Sequence, residues 1–160
     1  MKKRKLIRTG LILALAGVLI GGGTILYLFN MPHRDTQKTK TDYSLTSSAL
    51  VSEYLGDKAV ANKKYLNSDG NSKVLEITGP VISITEDFSG QKVVSLKGEN
   101  DLAGVSCTFT VESGKNVADL RVGETITVKG VIRSGAAYDE DLGLYENVIL
   151  DKCDRIKKKL

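Results

Sequence analysis

The sequence predicts a mainly β domain, a five-stranded Greek-key barrel preceded by a short α-helical segment and an N-terminal transmembrane helix. Three observations predict it: an uncharged apolar run behind a basic N-terminus, a change from helical to alternating apolar spacing at Lys73, and two near-copies of a strand motif that bends at a glycine.

The 160-residue chain opens Met1-Lys-Lys-Arg-Lys-Leu-Ile-Arg8, and residues 9–30 then carry no formal charge. A bilayer core of about 30 Å takes about 20 apolar helical residues, so 9–30 reads as one membrane span. Lys2, Lys3, Arg4, Lys5 and Arg8 outweigh Arg34, Lys38 and Lys40 on the other side. That bias predicts a single-pass protein with residues 1–8 in the cytoplasm and everything past Asn30 outside it. Ala14-Leu15-Ala16 has the form of a signal-peptidase site, yet the apolar run continues to Phe29. An uncleaved signal-anchor is therefore expected, with a removed signal peptide as the alternative. The only cysteines, Cys107 and Cys153, lie far from the span, which argues against a lipoprotein-type acyl anchor. Gly17 and Gly21 have the spacing that lets two membrane helices pack as a homodimer, although glycine is common in spans that only tether.

Residues 31–42 are polar and without apolar periodicity, the composition of a flexible tether. Within the helical segment 43–72, Thr46 has the place of an N-cap, with Leu45 stapling onto Leu50. Leu50, Val51, Tyr54 and Leu55 make a stripe that stops at Gly56, and Asp57 caps a second helix carrying Ala61, Tyr65 and Leu66 inward. Asn67-Ser68-Asp69-Gly70-Asn71 begins like a calcium loop, but Ser72 and Thr78 stand where that loop needs glycine and glutamate, so it reads as a turn.

From Lys73 the period becomes two: Leu75 and Ile77, then Gly79, then Ile82 and Ile84. Leu-Glu-Ile-Thr-Gly-Pro-Val-Ile at 75–82 returns as Ile-Thr-Val-Lys-Gly-Val-Ile at 126–132, two long strands with Gly79 and Gly130 at their bends. Residues 92–96, 105–111 and 144–150 supply three more strands, and 116–120 a helical turn. Three strands, a helical turn and two strands is the order of the OB-fold. In the third strand Val105, Cys107, Phe109 and Val111 face inward, and Ser106, Thr108 and Thr110 outward.

Over roughly residues 43–156 the chain also resembles the tRNA-anticodon-binding-like OB-fold family of small bacterial membrane-anchored or exported proteins. The resemblance rests on Ala61-x-x-x-Tyr65, Ile77-x-Gly79-x-Val81, Val105-x-Cys107-x-Phe109, Leu120-x-x-Gly123-x-x-Ile126-x-Val128-x-Gly130 and Val148-x-Leu150-x-x-Cys153. It implies the barrel, the bacterial cytoplasmic membrane as its location, and no established activity. In the OB arrangement the third and fifth strands are neighbours, which would bring Cys107 to Cys153 in a compartment that permits a disulfide; two buried thiols are the alternative. Two cysteines without histidine partners do not complete a metal site.

No constellation for catalysis stands out, and no enzyme activity or cofactor is expected. The one histidine, His33, falls in the tether, and Gly21-Gly22-Gly23 lacks the lysine and hydroxyl of a phosphate loop. The formal net charge of +4 is misleading: between Lys73 and Ile156 nine Lys and Arg meet fourteen Asp and Glu, a net −5. An acidic barrel without aromatics on the outer face of its third strand is a poor fit to nucleic acid. The basic tail 157–160 reads as solvated. What remains is a non-catalytic module binding an envelope protein, a peptide or a glycan, or else a structural subunit of a membrane complex. The candidate ligand residues are Asp87 and Ser89 in the first loop, Ser106, Thr108 and Thr110 on the third strand, and Asp139, Glu140, Asp141 and Glu146 before the last strand.

Overall fold

The structure, a computed structural model, describes residues 36–68 and 71–157. The span at 9–30 with Gly17 and Gly21, the segment 1–8, His33 and the tail past residue 157 lie outside the described residues. Among the described residues no helix is long and apolar enough to cross a membrane.

The order is β1 (Tyr43–Thr46), α1 (Ser47–Gly56), α2 (Lys58–Tyr65), β2 (Val74–Glu86), β3 (Lys92–Leu96), β4 (Val105–Phe109), a 3-10 turn (Ser113–Val117), β5 (Thr125–Ser134), β6 (Ala137–Asp139), β7 (Leu144–Glu146) and β8 (Val148–Arg155). The main sheet runs β1-β2-β3-β4-β8-β5 and closes through β2 against β5, so β2, β3, β4, β5 and β8 form a barrel. β4 and β8 pair in parallel, whereas the other barrel pairs are antiparallel. The alternation read from the sequence fills the interior: Leu75, Ile77, Val94, Val105, Phe109 and Val128 are fully buried.

The helices begin where their caps put them. Thr46 Oγ1 accepts from Ala49 N–H (3.1 Å) and Asp57 Oδ1 from Val60 N–H (3.0 Å), each satisfying a donor that the first turn leaves unpaired. Leu50, Val51 and Tyr54 of α1 and Ala61 and Tyr65 of α2 are buried in the same core as the barrel. Glu53 binds α1 to α2, accepting from Lys64 Nζ (2.8 Å) and Tyr65 OH (2.8 Å). The hydrogen bond from Lys64 lowers the Glu53 carboxyl pKa.

Four local readings change. Residues 43–46, expected within the helical segment, form a strand parallel to β2, with Tyr43 edge-on to Tyr65 at 5.3 Å. A four-residue strand is too short for its alternation to stand out against the adjoining helix. The third strand stops at Phe109, and Val111 is exposed, because Thr110 turns the chain: its N–H donates to Ser113 Oγ (3.0 Å), which itself donates to Cys153 O (2.6 Å). The helical turn accordingly starts at Ser113, three residues before its expected place. Residues 144–150 are two elements, because Leu144–Glu146 pairs with Ala137–Asp139 as a separate hairpin before β8 begins.

The two glycines do different work. At Gly130 the β5–β8 register shifts, and a Cβ there would stand 2.6 Å from Cys153 Sγ. At Gly79 a Cβ would stand 2.4 Å from Ser47 Oγ, so this glycine admits the start of α1. The bulge in β2 comes just after it, between Val81 and Ser83, and Ile82 is exposed there. Opposite Gly130, Lys152 takes a left-handed φ of 52°. Gln37 Nε2 reaches this bulge, donating to Lys129 O (3.3 Å) and Lys152 O (3.2 Å), so part of the polar stretch 31–42 lies on the barrel.

Candidate ligand-binding face

Period two in β4 turns Ser106 and Thr108 away from the buried Val105, Cys107 and Phe109, and β3 adds Val93 and Ser95 beside them through the register Val93↔Thr108 and Ser95↔Ser106. None of these four outward side chains is aromatic. Asn147 fixes one end of the face, its Oδ1 accepting from Gly104 N–H (2.7 Å) and its Nδ2 donating to Ser106 Oγ (3.2 Å).

The loops bordering the face are held by hydrogen bonds to their own backbone. In the β2–β3 loop Asp87 Oδ1 accepts from Ser89 N–H and Gln91 N–H, both at 2.8 Å, and Gly90 supplies φ +74°. In the β6–β7 hairpin Asp139 Oδ1 accepts from Asp141 N–H (2.9 Å) and Leu142 N–H (3.0 Å), while Gly143 closes the turn at φ +65°. Of the candidate residues, then, Asp87 and Asp139 hold their own turns, and Thr110 belongs to the turn after β4. Ser106 and Thr108 lie on the face, Ser89 is in the first loop, and Glu140, Asp141 and Glu146 are exposed on the hairpin. Among the described residues no three His, Cys, Asp or Glu side chains gather in a way that could hold a metal ion.

The loops also carry what the strands lack. Phe88 is fully exposed at the tip of the β2–β3 loop, and Tyr138 and Tyr145 form a cross-strand pair on the hairpin with ring centroids 4.9 Å apart. Sequence reasoning passed over all three and Asn147. The signal was present for the tyrosines: Ala-Tyr-Asp and Leu-Tyr-Glu flank a four-residue turn ending in Gly143, which is hairpin spacing.

Cys107 and Cys153 are both free thiols and both fully buried, with Phe109 the register partner of Cys153. Burial, followed by the hydrogen bond with Cys107, pushes the Cys153 thiol well above the ordinary range, which holds it neutral. A concavity at the far end of β8 is lined by Thr78, Asp119, Thr127, Arg155 and Lys157, and Arg155 pairs there with Asp119 (3.5 Å) and Glu124 (3.6 Å).

A family model described as tRNA_anti-like matches residues 1–141. The chain belongs to the tRNA_anti-like family. No curated protein matches it in sequence. Among solved structures, this tRNA_anti-like chain is similar to a lipoprotein from Klebsiella pneumoniae subsp. pneumoniae MGH 78578 for which nucleic-acid binding has been suggested, with TM-score 0.52 and 16% identity over 79% of this chain and 100% of that one. Weaker likenesses are to OBody NL8 bound to hen egg-white lysozyme, with TM-score 0.37 and 16% identity over 55% of this chain and 99% of that one, and to yeast Stn1 and Ten1, with TM-score 0.36 and 15% identity over 78% and 66%. Identity this low speaks for the fold alone.

Proposed function

We propose that this chain is a membrane-anchored, extracytoplasmic OB-fold module that binds without catalysing, and that it takes an envelope protein, peptide or glycan on the outer face of β3 and β4 and the loops that border it. One observation carries the reading: aromatic side chains, Phe88 on one loop and Tyr138 with Tyr145 on the other, are held out to solvent by turns locked on Asp87 and Asp139. Aromatic side chains are enriched among the anchors of protein interfaces. The anchor itself rests on the uncharged run at 9–30 behind a basic start. The suggestion attached to the Klebsiella lipoprotein makes nucleic acid the reading to exclude. A net −5 between Lys73 and Ile156, with no aromatic on the strand face, argues against it here.

Pull-down from envelope extracts with the full chain and with residues 36–160 tests the proposal. Partners retained by 36–160 and lost on Phe88→Ala or Tyr145→Ala support it. Partners that depend on the span favour a structural subunit of a membrane complex, and tight oligonucleotide binding at physiological salt replaces both readings. The outside location is tested separately by Cys107 and Cys153. In an oxidising compartment these neighbours are expected to bridge, closing a loop worth about 3 to 4 kcal/mol in the chain-entropy model. Two alkylatable thiols in unreduced, denatured protein from that compartment would count against the bridge.

A further inference from the structure

The two ends of the described chain meet on one strand of the barrel. At the N-terminal end Gln37 Nε2 donates to Lys129 O (3.3 Å) and Lys152 O (3.2 Å), and Lys129 Nζ donates back to Gln37 O (3.1 Å). Thr36, just before it, is only 3% exposed, so the arm packs on the barrel from its first described residue. At the C-terminal end Ile156 N–H donates to Thr127 O (2.9 Å), and Thr127 and Lys129 both belong to β5. Residues two apart on a strand are about 7 Å apart, so the arm enters and the tail leaves the barrel side by side.

This corner is cationic in a barrel that is otherwise acidic. Past Ile156 the chain continues as Lys157-Lys158-Lys159, and Lys157 is exposed. Neither Lys152 nor Lys157 forms an ion pair among the described residues, whereas Arg155 is matched by Asp119 and Glu124, and Asp151 by Arg133. Asp154 accepts from Asn116 Nδ2 and Arg155 N–H, both at 2.8 Å, and Glu76 lies opposite Lys129 in the β2–β5 register. Lys38 and Lys40 in the arm add to the positive side.

We propose that the barrel docks by this corner onto the bilayer that anchors it, with Lys152 and the tail lysines 157–159 against the phosphates of anionic phospholipid. The proposal rests on the reading of residues 9–30 as an anchor. Six residues lead from Asn30 to Thr36, and even fully extended they span at most about 20 Å. The arm therefore leaves the barrel close to the headgroups, within reach of a cationic tail that an anionic surface attracts. That tail is at the far end of the sequence from the span, and only the pairing of β8 with β5 brings it beside the arm. The β6–β7 hairpin is at the other end of β8, about 25 Å away along a strand of 8 residues, so docking leaves it open to a partner.

The test is amide-resolved NMR of the full chain in lipid nanodiscs whose headgroups carry a gadolinium chelate. One set of discs mixes phosphatidylglycerol into phosphatidylcholine, and the other is phosphatidylcholine alone. With phosphatidylglycerol the amides of Thr127, Lys129 and Ile156 are expected to broaden, while those of Leu142 and Gly143 at the hairpin tip do not. Each lysine at an anionic surface is worth about fivefold in the docking equilibrium. Lys157→Gln, Lys158→Gln and Lys159→Gln together should therefore lower it on the order of 100-fold and abolish the broadening. Lys157→Arg, Lys158→Arg and Lys159→Arg together should keep it, because the charge is kept. Both triple variants retain the fold, since β8 ends at Arg155. A chain that stays out of the discs overturns the anchor and this proposal with it. A chain held in the discs but broadened equally with phosphatidylcholine alone, or equally in the glutamine variant, overturns the docking and leaves the anchor standing.

Discussion

The outer face of β3 and β4 and the groove between the α1–α2 junction and the β6–β7 hairpin, lined by Tyr54, Lys58, Tyr138 and Tyr145, are built on opposite plans. On the strand face a hydrogen-bond network has formed: Asn147 takes the Gly104 amide and holds Ser106. At the groove the buried Tyr54 hydroxyl has no partner among the described residues, Lys58 has no counter-ion among them, and Tyr138 and Tyr145 stand 53% and 37% exposed. A satisfied surface gains little from any one small ligand and suits broad contact with another macromolecule, its affinity supplied by aromatics at the rim. A buried hydroxyl without a partner is instead a local cost to stability. The difference lies in which hydrogen bonds are made rather than in hydrophobicity, because both surfaces border the same hairpin.

The contrast can be broken most forcefully at Gly135. Gly135→Ala puts a methyl on the Tyr54 ring and should cost about 3 kcal/mol in urea unfolding, the upper part of the usual overpacking range; a change under about 1 kcal/mol would mean that the ring moves freely and the groove floor is not fixed. Asn147→Ala removes two hydrogen bonds from the strand face and should cost about 1 to 2 kcal/mol. If it costs nothing, the face is not the satisfied surface described. Tyr54→Phe has the opposite sign, an expected gain of about 1 kcal/mol, since an unpaired hydroxyl disappears. A loss instead would reveal a partner for that hydroxyl.

The smallest effects are in pH. Tyr54 has its pKa raised from 10.0 to about 12, chiefly by burial. A group raised in the folded state contributes fully below its unfolded value, and this contribution fades as pH climbs from 10.0 to about 12. Tyr54→Phe should therefore flatten the alkaline limb of the stability profile. Glu53 has the reverse sign. Its pKa is lowered from 4.5, so its contribution is present above that value and lost as pH falls through the folded one. The Glu53 and Lys64 side chains are 37% and 35% exposed, so Glu53→Gln should shift the acid limb only slightly.

Much of the barrel could be read along the chain. Alternation is a local signal, and it found the burial of Leu75, Ile77, Val105, Cys107 and Phe109 and the strands that carry them. Caps are local too, and Thr46 and Asp57 stand where they were expected. The sites were less legible. Asp87 and Asp139 read as candidate ligand carboxylates, and nothing in the sequence shows that Oδ1 of each also accepts from the backbone of its own turn. Thr110 looked outward until Ser113 and Cys153 O, far along the chain, bent it into a turn.

By itself, then, the sequence determined the mainly β class, the helix starts, the acidic balance of the barrel, and the uncharged segment on which the anchor proposal stands. All of these follow from residue spacing, composition or charge within a short window. The tertiary structure alone decided that Tyr54 lies on Gly135, that its hydroxyl goes unpaired, and that Lys58, Leu102 and the two hairpin tyrosines share one groove. Those residues come from four separate stretches of chain. Whether a buried donor is satisfied depends on which of them the closed barrel brings within reach.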